Sequence, residues 1–389
     1  MRKQLIYSLA LITFTTTFFF LDANKALASQ TEHYTKAEHA YIIDYDTGMV
    51  LLDKKADQKM PTSSMSKIMT MYMVFDALED GRISLNDELP VSEKAWRKGG
   101  SKMFVEVGDK VKVEDLIRGV IVQSGNDATI VLAEALAANE AKFAEIMTQK
   151  AYEIGAVNSN FFNASGWPHP EHYSTARDLT LIARRIISEF PQHYHYYSKK
   201  SFTYNDITQN NRNPLLYQNI GADGLKTGHT EIAGYGLIGS GKRDGRRVIM
   251  VLNGLDSKSE RAKEGRRLLS WALRSFENIK VFSENESVIS APVILGTKER
   301  IDLVIPQDII VTVPKGEREN IKVTLEYNAP LKAPVEKGTQ LGKAVINVPQ
   351  TGRVVVPLLA GESSEKKGFV SQLFAKAQLL LMGPPALQN

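Results

Sequence analysis

Apolar and β-branched positions first gather in two short runs, Tyr41-Ile42-Ile43-Asp44-Tyr45 and Met49-Val50-Leu51-Leu52, separated by Asp46-Thr47-Gly48. Two strands joined by a short Gly-containing turn give a hairpin. After Pro61 the spacing changes: Ile68, Met69, Tyr72, Met73, Phe75 and Leu78 recur at helical intervals until Gly81, behind the capping types Thr62 and Ser63. Further helices are predicted over 113–122, 128–138, 141–154 and 176–187. Strands return over 234–240 and 247–252 around the hairpin-turn pair Asp244-Gly245, and a closing helix is predicted from Arg261 to Phe276. This order predicts an α+β (α/β) domain, an antiparallel sheet flanked by helices and assembled from both ends of the segment.

Beyond Asn278 the period falls to two. Ile301 to Ile305, Ile309 to Val313, Ile321 to Tyr327, Ala344 to Val348 and Arg353 to Pro357 alternate or run β-branched between Pro and Gly turns. A catalytic-sized domain at 29–278 and a small all-β domain at 279–360 follow, the latter suited to spacing or docking. In the tail, 361–389, a polar linker from Gly361 to Lys367 leads to Phe369, Val370, Leu373, Phe374, Ala377, Leu380 and Leu381. Placed at about 100° per residue, these share an arc of roughly 140°. The amphipathic helix is too short to cross a bilayer but suits its surface, and Pro384-Pro385 ends it. The competing expectation is a helix docked on the protein's own body.

At the other end, Arg2 and Lys3 precede an apolar run from Leu5 to Leu21 and then Ala26-Leu27-Ala28. That is the layout of a secretory signal peptide, 1–28, cut after Ala28. The expected location is therefore outside the cytoplasm, in the periplasm or cell envelope, on the outer face of the cytoplasmic membrane.

Composition narrows the chemistry. With 43% hydrophobic and 24% charged residues, 389 residues can build about two domains with buried cores, which excludes a disordered chain. The 48 basic and 44 acidic residues leave +4, falling to +2 once Arg2, Lys3, Lys25 and Asp22 leave with the signal. No nucleic acid partner is predicted from so small a charge. Zero cysteines exclude thiolate nucleophiles, disulfides and Cys-ligated metals. His169, His172, His193 and His195 form no metal-spaced set, so neither metal site nor cofactor is predicted; His172 is assigned to a loop. Trp96, Trp167 and Trp271 are expected in the core or at a cleft rim.

A covalent mechanism without cysteine needs another nucleophile, and Ser64-Met65-Ser66-Lys67 opens the first long helix. Three residues apart is one helical face, which brings the Lys67 amine to the Ser64 hydroxyl at an N-terminus that offers backbone N–H groups to an oxyanion. The string alone is weak, since Ser363-Ser364-Glu365-Lys366 also matches it within the polar linker. Ser124-Gly125-Asn126 and the single Lys226-Thr227-Gly228 strengthen it, although Ser283-Glu284-Asn285 repeats the former by accident. Together and in this order they form the motif set shared by penicillin-binding proteins and class A β-lactamases.

The chain resembles the low-molecular-mass serine D-alanyl-D-alanine carboxypeptidases (peptidase S11-like). The likeness runs from about Tyr34 to Ala360 and takes in Ser124 to Ala128, Tyr173 to Leu179 and Asp223 to Thr230. It implies a β-lactamase/transpeptidase-like fold and a peptidoglycan stem peptide ending in D-Ala-D-Ala as substrate, with β-lactam antibiotics as covalent inhibitors. It further implies Ser64 as acyl-accepting nucleophile, Lys67 as its base, Ser124 in the proton relay and Asn126 on the substrate's peptide side chain or amide. Lys226 would add a second charge that lowers the Lys67 pKa. Thr227, Gly228 and the His229 backbone would line the docking strand, and Arg212 and Arg261 would meet the free carboxylate. Arg177 and Asp178 are expected to fix the loop under the cleft. No Glu-x-x-Leu-Asn string supplies the deacylating carboxylate of a β-lactamase, and Gly125 stands where those enzymes usually carry Asp. The remaining alternatives are a DD-endopeptidase or weak β-lactamase of the same fold, and a non-hydrolytic penicillin-binding envelope protein.

Overall fold

The computed structural model describes residues 35–382; the signal segment 1–28 and Pro384-Pro385 lie outside the described residues. Five antiparallel strands form the main sheet, in the order Val50–Lys54, His39–Asp44, Arg246–Leu255, Gly234–Arg243, Ala222–Thr230. Strand side chains alternate between faces, and both faces are covered. Ala40, Ile42, Val248, Met250 and Leu252 pack with Leu268 and Leu269 of the Lys258–Arg274 helix. Tyr41, Ile43, Ile249, Val251, Leu225 and Ile238 pack instead with the helical middle. Within that middle the Lys67–Glu79 helix is buried at ten of its thirteen positions, Lys67 included. Its N-terminus is therefore held inside the domain rather than presented on a free surface helix.

Several elements differ from the sequence expectation. The closing helix starts earlier, at Lys258, because the Ser257 hydroxyl caps it by accepting the Glu260 N–H at 3.1 Å. It stops at Arg274, since Phe276–Phe282 is a strand paired with Ile309–Pro314, and the expected boundary at 278 falls inside that strand. The 113–122 helix is α only over Val113–Arg118 and widens to a π turn over Gly119–Gln123. The run Ala222–Thr230, which carries Lys226-Thr227-Gly228, is itself the edge strand of the sheet; Gly224 and Gly228 had hidden its period.

The second domain centres on a six-stranded sheet, ordered Lys322–Tyr327, Gln340–Val348, Gly352–Ala360, Arg300–Val304, Ser287–Ile294, Leu331–Lys332. Met49, from the turn of the first hairpin, is buried in its core, and the Met49 Sδ accepts the Thr312 N–H at 3.1 Å. Around it Thr47 Oγ1 meets Thr312 Oγ1 at 2.6 Å, and the buried Asp44 carboxylate receives Arg246 at 2.9 Å and Asn278 at 3.1 Å. The 361–367 segment is not a free linker: Ser364 exchanges backbone hydrogen bonds with Val335, and Lys367 N–H donates to Leu295 O. The chain leaves the β domain only at the Phe369–Met382 helix, where Phe369, Val370, Leu373, Phe374, Leu380 and Leu381 are exposed. Among the described residues no helix is long and apolar enough to cross a membrane.

Candidate active site

Ser64 lies in a 3-10 turn, Ser63–Ser66, that runs directly into the Lys67–Glu79 helix. Ser63 holds φ +43°, a left-handed conformation that costs a non-glycine residue about 1–3 kcal/mol and persists only where the surroundings impose it. Lys67 is fully buried. Its Nζ lies 3.0 Å from Ser64 Oγ, 2.7 Å from Asn126 Oδ1 and 2.6 Å from Ser165 O. Burial, followed by the positive charge of Arg212, brings the Lys67 pKa down to about 7, so near neutral pH the amine is available in its uncharged form. The neighbouring cation that contributes most is Arg212, where Lys226 was expected.

The second wall is built by the π turn. Gly119 allows it to pack on Met103, whose Cγ a Cβ would meet at 2.9 Å, and the turn ends with Ser124 at φ +61°. π turns inside helices recur at functional sites. From there Ser124 Oγ receives Lys226 Nζ at 2.8 Å, and the same amine donates to Thr227 O at 3.1 Å. Gly125 is dictated by space, since a Cβ would approach the Asp127 carboxylate to 2.8 Å. That buried carboxylate accepts the N–H groups of Met103 and Phe104 at 2.8 and 2.9 Å and so holds the 101–105 loop against the cleft. Asn126 is more committed than expected, because its Oδ1 takes Lys67 and its Nδ2 donates to Gly99 O at 2.9 Å.

The edge strand closes the third side. Gly228 lies against the nucleophile turn, and a Cβ there would run into Ser63 Oγ and come within 2.9 Å of Thr62 O. Thr227 is buried beside it, while the exposed His229 lies against Tyr235, the rings tilted by 31° with centroids 3.9 Å apart. Arg261 is buried under the strand, with Nη1 3.4 Å from Gly228 O, Nε without a partner, and its guanidinium over the Tyr235 ring. Burial pushes its pKa down to about 10. Arg212 is exposed at the mouth and donates to Ser101 Oγ. Lys226 is pushed well down by burial, then by Lys67, Arg212 and Arg261. Four basic side chains, Lys67, Lys226, Arg212 and Arg261, thus crowd one cleft. Among the described residues no carboxylate hydrogen-bonds to Ser64, Lys67, Ser124 or Lys226.

The floor of the cleft is where sequence reasoning found least. The loop from Phe161 to Tyr173 gives Ser165 O to Lys67 and Ala164 O to Thr70 at 2.6 Å, and Gly166 (φ +77°) fits against Ser63 O where no Cβ has room. Backbone acceptors carry no residue signature, so no motif could have announced them. Asp178 does fix the start of this loop, accepting Asn158 N–H at 2.8 Å and Ser159 Oγ–H at 2.7 Å. Arg177 does not: it pairs with Asp57 and Asp53 and covers Tyr41, tying the Ala176–Glu189 helix to the first hairpin. Beyond Ser63 a cavity of about 540 Å³ opens between Lys59, Trp167, His169, Tyr173 and Ile232, with Trp167 at its rim.

This geometry belongs to a class the comparisons identify: the chain is a member of the peptidase S11, D-alanyl-D-alanine carboxypeptidase, family, whose profile matches residues 25–257. A second profile, that of the penicillin-binding protein 5 C-terminal domain, matches residues 276–366. Among individual relatives, the D-alanyl-D-alanine carboxypeptidase DacA of Haemophilus influenzae is 37% identical over 86% of this chain and 88% of its own length. DacC of Escherichia coli is 36% identical, covering 92% of each. Of solved structures, penicillin-binding protein 5 from Haemophilus influenzae superposes with a TM-score of 0.77 at 36% identity, over 86% of this chain and 98% of that one. Penicillin-binding protein D2 from Listeria monocytogenes, in an ampicillin-bound form, matches at TM-score 0.57 and 30% identity, over 62% of this chain and 98% of its own.

Proposed function

We propose that this chain is a serine-type D-Ala-D-Ala carboxypeptidase that trims the terminal D-alanine from peptidoglycan stem peptides and is acylated by penicillin. The observation that carries the reading is the fully buried Lys67 amine 3.0 Å from the Ser64 hydroxyl at a helix N-terminus, where burial lowers its pKa. Family membership and the ampicillin-bound relative support it.

In this mechanism the Ser64 Oγ attacks the carbonyl carbon of the penultimate D-Ala while its proton passes to the uncharged Lys67 amine. The resulting oxyanion faces the N–H groups of Ser64 and His229, each donor being worth about 3–4 kcal/mol. The C–N bond then breaks, a proton delivered through Ser124 reaches the departing amine, and D-alanine leaves. Water, deprotonated by Lys67 or by the Ser124–Lys226 pair, hydrolyses the ester and restores Ser64. The Asn126 amide keeps one N–H beyond the one given to Gly99, enough for a substrate carbonyl. The free carboxylate of the substrate meets Arg212, Arg261 and Thr227. The unpartnered Nε of Arg261 favours that role, as a buried donor lacking an acceptor costs about 1–3 kcal/mol until one arrives.

The chain acts outside the cytoplasm, with the exposed apolar face of the Phe369–Met382 helix on the outer surface of the cytoplasmic membrane. Mass spectrometry of the intact protein after benzylpenicillin tests the reading. One adduct on Ser64, absent from Ser64→Ala, is expected, together with D-alanine release from a peptide ending in D-Ala-D-Ala. An adduct on another side chain overturns it.

A further inference from the structure

His172 sits on the floor loop and is only 3% exposed. The Phe162 N–H donates to its Nδ1 at 3.1 Å, so Nδ1 is an acceptor and the single ring proton of the neutral imidazole is on Nε2. Nε2 lies 2.7 Å from Ser66 Oγ. With its oxygen accepting the Nε2–H hydrogen bond, Ser66 turns its own hydroxyl hydrogen to the Thr62 Oγ1 that faces it. Thr62 and Ser66 are the residues at the two ends of the turn that contains Ser64, and Met65 N–H closes the same turn on Thr62 O at 3.1 Å. Burial, and then the neighbouring charges of Lys67 and His169, lower the His172 pKa to about 4, so the direction of donation is constant over the range in which Lys67 titrates.

We propose that His172 is a positioning residue for the nucleophile, holding the left-handed turn at Ser63 so that Ser64 Oγ stays within reach of Lys67. The proposal rests on the acyl-enzyme reading above. Among the described residues no hydrogen bond joins His172 to Ser64 or Lys67, and it acts through the hydroxyls of Ser66 and Thr62. The clamp supplies what the turn lacks, because neither Thr62 nor Ser66 makes a side-chain cap to the helix, and an uncompensated left-handed Ser63 would relax.

The two halves of the imidazole can be separated by substitution in the full-length protein. In His172→Asn the amide oxygen replaces Nδ1 and keeps the Phe162 bond but does not reach Ser66. In His172→Gln the amide N–H reaches the Nε2 position and donates to Ser66. Stopped-flow acylation by a fluorescent penicillin, resolved into affinity and rate constant, is compared with melting temperature for both. His172→Asn is expected to slow acylation about 100-fold at unchanged affinity, the scale of a small misplacement of reacting groups. His172→Gln is expected to recover most of the rate, and Ser66→Ala to behave like His172→Asn. If His172→Asn acylates as fast as His172→Gln, or if rates merely follow melting temperature, the ring only anchors the loop and the proposal is overturned. Failure of the wild-type protein to form any Ser64 adduct is a separate result, which removes the functional reading and this proposal with it.

Discussion

A lysine pushed down to about 7 has a pH signature with a definite sign. Above that value the Lys67 amine can take the Ser64 proton; below it the amine is already protonated. The second-order rate of benzylpenicillin acylation should therefore fall about tenfold per unit as pH drops below 7 and level off above it. A pH-rate profile from about pH 5 to about pH 9 checks this, and a flat profile would remove Lys67 as the base. Ser64 and Lys67 were legible in the sequence because their relation is local, three residues on one helix. The burial of Lys67 and the nearby charge of Arg212, which lower its pKa, were not, since Arg212 is 145 positions away and the hydrogen-bond partners of Lys67, Asn126 and Ser165, are 59 and 98 positions away. His172 was legible only as a loop residue, because its contacts are with a backbone N–H and a second hydroxyl in the nucleophile turn.

Among the elements, the contact between edge strand and nucleophile turn is the tightest constraint. A Cβ at residue 228 meets Ser63 Oγ and Thr62 O, and backbone cannot yield as a flexible side chain would. Gly228→Ala should separate strand from turn, lowering acylation about 100-fold and stability by about 1–3 kcal/mol. Acylation rate and thermal melting measure the two effects independently, and a near-normal rate would mean that the strand tolerates displacement. Periodicity found the hairpins at 41–52 and 234–252 and the helices of the middle because packing on both faces of one sheet imposes regular spacing. It missed the edge strand and the π turn for a shared reason. Both approach a neighbour through glycine, and a position chosen for missing atoms carries no hydrophobic signal.

At the scale of the whole molecule, the β domain is joined to the sheet by buried parts rather than by a tether, with Met49 in its core and Asp44, Arg246, Asn278 and Thr312 bonded around the junction. The tail helix leaves Phe369, Val370, Leu373, Phe374, Leu380 and Leu381 exposed. Ending the chain before Gly368 should leave D-alanine release within about twofold of the full-length protein while abolishing sedimentation with anionic lipid vesicles. Loss of activity in the truncated form would tie the tail to the catalytic cleft instead. Two-domain organisation was readable from the change of period after Asn278, whereas the socket for Met49 was not, because one buried methionine in a turn looks like any other.

The strand His39–Asp44 finds its sheet partner only at Arg246–Leu255, some 200 positions further on. A nascent polypeptide cannot close that ladder until nearly two thirds of it has been synthesised, and distant pairings of this kind form slowly. Such a late closure means that the edge strand carrying Gly228 has no completed sheet to join until then, so the reactive serine gains its cleft only in the last third of synthesis or after it.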